Sequence, residues 1–393
     1  MMARLSDVGK IITGNTPKTS DALNYSSNDI CFVKPSDILD GEITMLTDSE
    51  FYISEYARHN ARILPPKSVL VTCIGIIGKV AINNVECAFN QQINAIVPDT
   101  SKCLTEYLAY AIQNKQKEMQ DIANAPVVPI LNKTQFSEIE IELPSIESQT
   151  EVVAKMRAID DLTSLRKRQL SKLDELVKSR FIEMFGDPIN NPKGLPVKSL
   201  KKLSTLITNG NTPKGGSENY VDNGILFLRS QNVWRNRIEL DDVAYIDETT
   251  HRSLKKSSLK HKDILITKTG RINTENSSLG RAALYLGADD SANINGHVYL
   301  VRLNGSIVPE YVVTILTSEA YRKYIRKVCV GGIDKRQINL DQVEDFPIII
   351  PPVEQQQQFA TFLEQVDKSK FEIQKSLEKL EFLRKSLMQK YFG

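Results

Sequence analysis

The side chains with the most capacity for chemistry lie together in the second half of the chain. Arg229-Ser230-Gln231-Asn232-Val233-Trp234-Arg235-Asn236-Arg237 mixes guanidinium and amide groups with one indole ring. Arginine can donate paired hydrogen bonds to a guanine edge, and Asn or Gln can pair in the same way with adenine. Lys268, Arg271, Lys335 and Arg336 add charge on two more connections, the last two shortly after Gly331-Gly332. In the first half, Lys18, Lys34, Ser36, Asp37, Asn90, Gln91, Gln92 and Lys133 fall at comparable places. A solvated basic face accounts for any one of these residues, and Asn90-Gln91-Gln92 could simply shape the start of a strand. Several such residues on one globule favour a nucleic-acid partner.

Charge supports that reading unevenly. The 393 residues carry a net charge of only +2. Residues 1–146 hold 12 Lys+Arg against 17 Asp+Glu, whereas residues 189–350 hold 23 against 17. The first part is therefore acidic, and for it a partner is expected to supply phosphate contacts.

Catalytic signatures are missing. Gly75-Ile76-Ile77-Gly78-Lys79 lacks the spacing of a phosphate loop, with Val80 where its Ser/Thr would stand, and reads as a turn between strands. His59, His251, His261 and His297 make no metal-ligand spacing, and no G-x-S-x-G elbow occurs. Pro98-Asp99 is not followed by the acidic-x-Lys of a metal-dependent nuclease, and no Asn-Pro-Pro-aromatic element of an adenine methyltransferase is found. No catalysis, metal or cofactor is expected on this chain. Five cysteines without a C-x-x-C pair read as reduced thiols. The apolar stretch 69–78 is too short to span a membrane, so a soluble cytoplasmic protein is expected.

The elements that must position these residues occur twice. Gly14-Asn15-Thr16-Pro17-Lys18 returns as Gly210-Asn211-Thr212-Pro213-Lys214, and Val69-Leu70-Val71-Thr72 as Ile264-Leu265-Ile266-Thr267. Gly78-Lys79-Val80-Ala81 matches Gly280-Arg281-Ala282-Ala283 at a larger offset, which places an insertion around residues 271–278 of the second copy. Each copy shows short β-branched runs bounded by Gly, Pro and Asn, including one predicted over 138–143. One amphipathic helix follows late in each, over 104–120 and 310–327.

Each copy then feeds a long helix, over 147–186 and 354–393. Val152, Met156, Ile159, Thr163, Arg166, Leu170, Leu173, Val177, Arg180 and Met184 alternate steps of four and three, the spacing of a seam that faces a partner helix. The second ladder is Phe359, Leu363, Val366, Lys370, Ile373, Leu377, Leu380, Arg384, Leu387 and Tyr391. A seam of this kind needs burial, and a two-fold relation within one chain makes the mutual pairing antiparallel. The alternative folds each helix back on its own globule. The fold expected is α+β: two pseudo-symmetric α+β globules joined by two long antiparallel helices, a coiled-coil spacer. The boundaries expected are 1–146, 147–186, 187–352 and 353–393.

The repeated Gly-Asn-Thr-Pro-Lys, the Asp263-Ile264-Leu265-Ile266-Thr267 strand, the exits Leu143-Pro144 with Glu147-Ser148-Gln149 and Pro351-Pro352 with Glu354-Gln355-Gln356, and Phe185-Gly186-Asp187-Pro188 resemble one family over essentially the whole chain. It is the specificity subunit of type I restriction–modification systems. The resemblance implies two target-recognition domains, each reading half of a bipartite, asymmetric site in double-stranded DNA. It also implies two methyltransferase subunits docked on the helices, carrying S-adenosylmethionine and flipping an adenine, and motor-nuclease restriction subunits that join for cleavage. The first copy starts at Leu5 without the lead-in that 187–198 gives the second, and the chain stops at Gly393, equivalent to Gly186, so the two ends are expected to lie near each other and to stay unfinished. A protein-assembly scaffold and a self-contained DNA-modifying enzyme are the rival readings.

Overall fold

The computed structural model describes residues 1–123, 129–213, 215–274 and 276–393. Its contacts divide the chain into two units, Met1–Lys167 with Gln374–Gly393, and Arg168–Ile373. Both are built to one plan.

In the first unit, strands Gly9–Thr13, Ile93–Pro98, Val69–Thr72, Val80–Asn83 and Ile43–Leu46 lie side by side in that order. A second sheet runs Tyr52–Ile53, Ile30–Val33, Cys87–Phe89 and Ile63–Leu64. In the second unit the corresponding orders are Ser204–Asn209, Val298–Leu303, Ile264–Thr267, Ala282–Leu284, and Tyr220–Val221, Ala244–Ile246, Ile225–Leu228, Ala292–Ile294. In each unit one pair of the second sheet is parallel, Ile30–Val33 with Cys87–Phe89 and Ile225–Leu228 with Ala292–Ile294. Val69–Thr72 and Ile264–Thr267 are buried throughout, which explains their uninterrupted apolar runs.

The repeated glycine holds the two sheets together. A Cβ on Gly14 would lie 2.1 Å from the Asn90 carbonyl oxygen, and one on Gly210 would lie 2.0 Å from that of Ile294. In the first unit the next residue, Asn15, donates to the Asn60 carbonyl and accepts from the Arg62 amide. This signature is thus a packing device.

Three expectations need correction. The late amphipathic helix is two helices in each unit, Thr105–Asn114 with Gln116–Ile122, and Pro309–Thr317 with Glu319–Val328. In the second unit Ser318 causes the break, since its hydroxyl caps the new helix by accepting from the Tyr321 amide. The run at 138–143 begins as helix Lys133–Glu138, capped by Asn132 in a reciprocal box with Gln135, and becomes strand only over Glu140–Glu142. Lastly, the two ends do lie near each other, with Ala3 packed on the core that holds Phe392, but the start is ordered: Met2–Arg4 pairs with Glu140–Glu142 as Val197–Ser199 pairs with Pro347–Ile349.

The long helices span Ile146–Phe185 and Val353–Phe392, with no Gly or Pro inside either. Gly186, at φ 77°, closes the first in the left-handed conformation that glycine favours. Each helix has one end in each unit. In the first unit Val152, Val153 and Met156 share a core with Met388 and Phe392, flanked by Leu387 and Tyr391. In the second, Phe181 and Phe185 share a core with Phe359 and Leu363, flanked by Val177 and Met184. Early residues of one helix thus lie with late residues of the other, so the pairing is antiparallel in both units.

Ile159, Leu377 and Val366 are also buried, and Leu170, Leu173, Ile373 and Leu380 are half-buried. Arg180 alone of the two ladders is exposed, paired with Glu183 at 2.8 Å. Polar clasps cross the seam as well. Arg384 lies 2.9 Å from Asp160, whose other oxygen accepts from Tyr110 at 2.7 Å, and Lys370 lies 2.5 Å from Asp174. Burial, and then the Asp160 charge, push the Tyr110 hydroxyl well above the ordinary tyrosine range.

One glutamine per copy anchors each long helix to its globule. Gln149 accepts from the Leu104 amide at 2.8 Å and donates to the carbonyls of Lys102 and Pro144, both at 3.0 Å. Gln356 accepts from the Val308 amide at 3.0 Å and donates to Pro351 at 2.8 Å. Both are fully buried. Replacing Gln356 by Leu keeps the volume but orphans a buried N–H and a buried C=O. Chemical denaturation should show a loss of about 1–3 kcal/mol, and an unchanged midpoint would refute the anchor.

Candidate nucleic-acid interface

In the second unit three short strands gather basic residues from distant parts of the chain. Thr269–Arg271 pairs with Lys335–Gln337, which pairs with Val330–Gly331. The register sets Arg271 opposite Lys335 and Gly270 opposite Arg336. Arg271 lies 3.3 Å from Asp334, and Arg336 Nε donates to the Gly332 carbonyl at 3.2 Å, while Lys335 is exposed. Lys268 precedes this ribbon, its amine 5.8 Å from the Tyr299 ring centre. Two stretches about sixty-five residues apart in sequence thus come together and carry Lys268, Arg271, Lys335 and Arg336.

The stretch 229–237 divides between scaffold and surface. Asn232 is buried: its side chain accepts from the Arg229 amide at 2.9 Å and donates to the carbonyls of Glu239 and Asp242. Arg229 donates to the Asp242 carbonyl at 2.7 Å and sits 3.1 Å from its carboxylate, and Gln231 donates to the same carboxylate. These three candidates are engaged within the turn. A carboxylate at Asp242, outside the stretch, draws them inward. Trp234 is half-buried, and Arg235 stands exposed on the strand connection Trp234 begins. Lys214 lies outside the described residues.

Sequence reasoning missed Arg281. Its guanidinium carbon stacks 3.9 Å from the Trp234 ring centre. Its Nε donates to the Ser277 carbonyl at 3.0 Å, and Nη2 donates to that of Asn276. Burial, and then repulsion from Arg235, lower its affinity for its proton. The signal was available, since Lys79 occupies the same place in the repeat. Lys79 likewise donates inward, to the carbonyls of Pro35 and Ile38, and burial lowers its pKa.

In the first unit that lysine braces the turn Pro35–Asp37, which leaves Ser36 exposed. Lys34 places its amine 3.0 Å from the Phe51 ring centre, a cation–π contact. Asn90 is buried; its side chain accepts from the Gln92 amide at 3.1 Å and so shapes the turn. Gln91 is exposed and accepts from the Thr16 hydroxyl at 2.6 Å, on the loop that also carries exposed Lys18. Lys133 is exposed at the start of its short helix.

Known proteins place this arrangement. The profile of the type I restriction modification DNA specificity domain matches residues 1–175 and again 192–381, one match on each repeat. The chain belongs to the type I restriction–modification specificity family. It is 26% identical to the MjaIX specificity subunit of Methanocaldococcus jannaschii, covering 98% of this chain and 91% of that one. It is 30% identical to the HindI specificity subunit of Haemophilus influenzae over 46% of this chain and 40% of that one. The fold is similar to the crystal structure of the type I S subunit from M. genitalium, at TM-score 0.59 and 12% identity, over 100% of this chain and 96% of that one. A chain solved for complex assembly and conformational transition of the type I R-M system also gives 0.59, at 17% identity, over 100% and 97%.

Among the described residues no group of three or more His, Cys, Asp or Glu is placed to hold a metal ion. No helix among them is long and apolar enough to cross a membrane. In this specificity-family chain the buried Asn232, bonded to backbone groups of Arg229, Glu239 and Asp242, braces the loop that carries Trp234 and Arg235. Asn232→Ala should lower stability by about 1–3 kcal/mol, because it orphans buried backbone groups. Thermal unfolding would show this, and an unshifted transition would remove Asn232 from that role.

Proposed function

We propose that this chain is the DNA-reading subunit of a type I restriction–modification complex. Each unit reads one half of a bipartite, asymmetric site in double-stranded DNA, so residues 1–146 and 187–352 act as target-recognition domains and 147–186 and 353–393 as spacer helices. The observation that carries this is the double family match, one on each repeat, with basic and amide side chains brought together on connections of the second unit. Lys18, Lys34, Ser36, Gln91 and Lys133 in the first unit, and Trp234, Arg235, Lys268, Arg271, Lys335 and Arg336 in the second, are the side chains assigned to the DNA face.

Two methyltransferase subunits and the restriction subunits are the proposed protein partners. Exposed apolar residues on the long helices support a docking role: Phe382 and Leu383 in the first unit, Leu176 and Phe371 in the second. S-adenosylmethionine would be held by the methyltransferase subunits, and the chain would work in the cytoplasm. The chain incubated alone with labelled S-adenosylmethionine and DNA should transfer no methyl group, while addition of methyltransferase subunits should give methylation confined to a bipartite site. Transfer by the isolated chain would overturn this assignment.

The basic ribbon serves affinity more than selectivity, since phosphate contacts position a protein without reading bases. Lys335→Ala should weaken binding by a similar factor on every duplex. It should also reduce the slope of log affinity against log salt by about 1. A change in base preference with an unaltered slope would place Lys335 on a base instead.

A further inference from the structure

Described residues of the insertion that distinguishes the second repeat help to wall a cavity of about 350 Å³, lined by Ser230, Trp234, Arg271, Thr274, Asn276 and Arg281. Its geometry is fixed from below. Arg281 is 8% exposed, with one face on the Trp234 ring and two donors on the carbonyls of Ser277 and Asn276. Gly270 lets the loop close over the ribbon, because a Cβ there would lie 2.3 Å from the Leu279 nitrogen. Ser277 and Ser278 pin the same loop through the Leu279 amide and the Thr269 carbonyl. Above this support the Asn276 side chain is exposed, and its backbone carbonyl is held by Arg281.

Reading a base needs this combination of a stiff floor and an open amide. Paired hydrogen bonds tolerate displacements of only about 0.5 Å, so the reader must sit on groups that cannot move. Charge also suits the site. Arg235, Arg237 and Arg322 repel the Arg281 guanidinium and Glu239 alone attracts it, so the phosphates of a duplex would offset the remaining repulsion. The first repeat offers no equal of this loop: the insertion is missing and Lys79 braces a different turn.

We propose that this cavity receives the edge of one base pair of the second unit's half-site, with the Asn276 amide reading adenine and Arg281 acting as its positioning residue. The inference rests on the DNA-reading function proposed above. It assigns the asymmetry of the site to a particular insertion, and it gives Trp234 the role of a platform rather than of a direct reader.

The test uses the complete complex of this chain with its methyltransferase subunits and a library of duplexes randomised in both half-sites. Asn276→Ala should reduce the preference for adenine at one position of one half-site by on the order of tenfold or more. The other half-site should be unchanged. Arg281→Lys keeps the charge but loses the two-carbonyl clamp. It should relax the same position, with the salt dependence of non-specific binding unaltered. Unchanged preference in Asn276→Ala, an exposed substitution that leaves the core intact, would overturn the proposal. So would a uniform loss on all duplexes with a shallower salt slope, which marks a phosphate contact. A wild-type complex with no sequence preference would overturn the DNA-reading function itself, and this site with it.

Discussion

A forty-residue amphipathic helix is unstable in water until its apolar seam is covered, and this chain has two of them. Each unit covers half of each seam. In the first, Met156 and Phe392 join Tyr107 and Phe136 in one core; in the second, Phe185 and Phe359 join Tyr311 and Phe346. The seam is thus continuous with the cores of the α+β globules. A change in either helix reaches the sheets through contacts such as Tyr107–Phe392, with ring centres 5.1 Å apart, and Phe185–Tyr311 at 4.9 Å.

Around that constraint the two copies use the same devices where packing is concerned and different ones where a surface is concerned. Gly14 and Gly210, Gln149 and Gln356, and the tyrosine hydroxyls of Tyr107 and Tyr311, bonded to the carbonyls of Glu142 and Ile349, repeat closely. The loops do not. In the first unit Lys34 rests on Phe51 and Arg58 lies between Glu55 and Glu86. In the second unit Lys335 is exposed, and Arg281 is held against Trp234 instead of against an acid. Unequal loops on equal frames suit a molecule whose two halves meet different base sequences.

Most of the frame was legible in the sequence, because it follows from periodicity and repetition. The helix ladders, the strand runs and the duplicated Gly-Asn-Thr-Pro-Lys are each visible without coordinates. The helix break at Ser318 was hidden because apolar residues recur on both sides of it, and only the hydroxyl cap decides the conformation. Site residues were legible by type more than by task. Arg229, Gln231 and Asn232 have the chemistry of base readers, yet one carboxylate, Asp242, and two carbonyls draw them inward. Local sequence does not reveal that competition, since the side chain of Asp242 reaches them only once the turn has formed. Arg281 went unread for the converse reason: its stacking on Trp234, far back in sequence, is invisible locally, and only Lys79 at the same place in the repeat hinted at it.

The first unit is assembled from residues 1–167 together with 374–393. A ribosome makes protein from one end, at roughly 5–20 residues per second. The core around Met156 therefore waits, on the order of tens of seconds, until Met388 and Phe392 have been made. The second unit, uninterrupted between Arg168 and Ile373, has its last residue made before the helix segment 374–393 that the first unit needs. In the living cell the order of completion runs against the order of synthesis: the half of the protein that is translated first is the half that must close last.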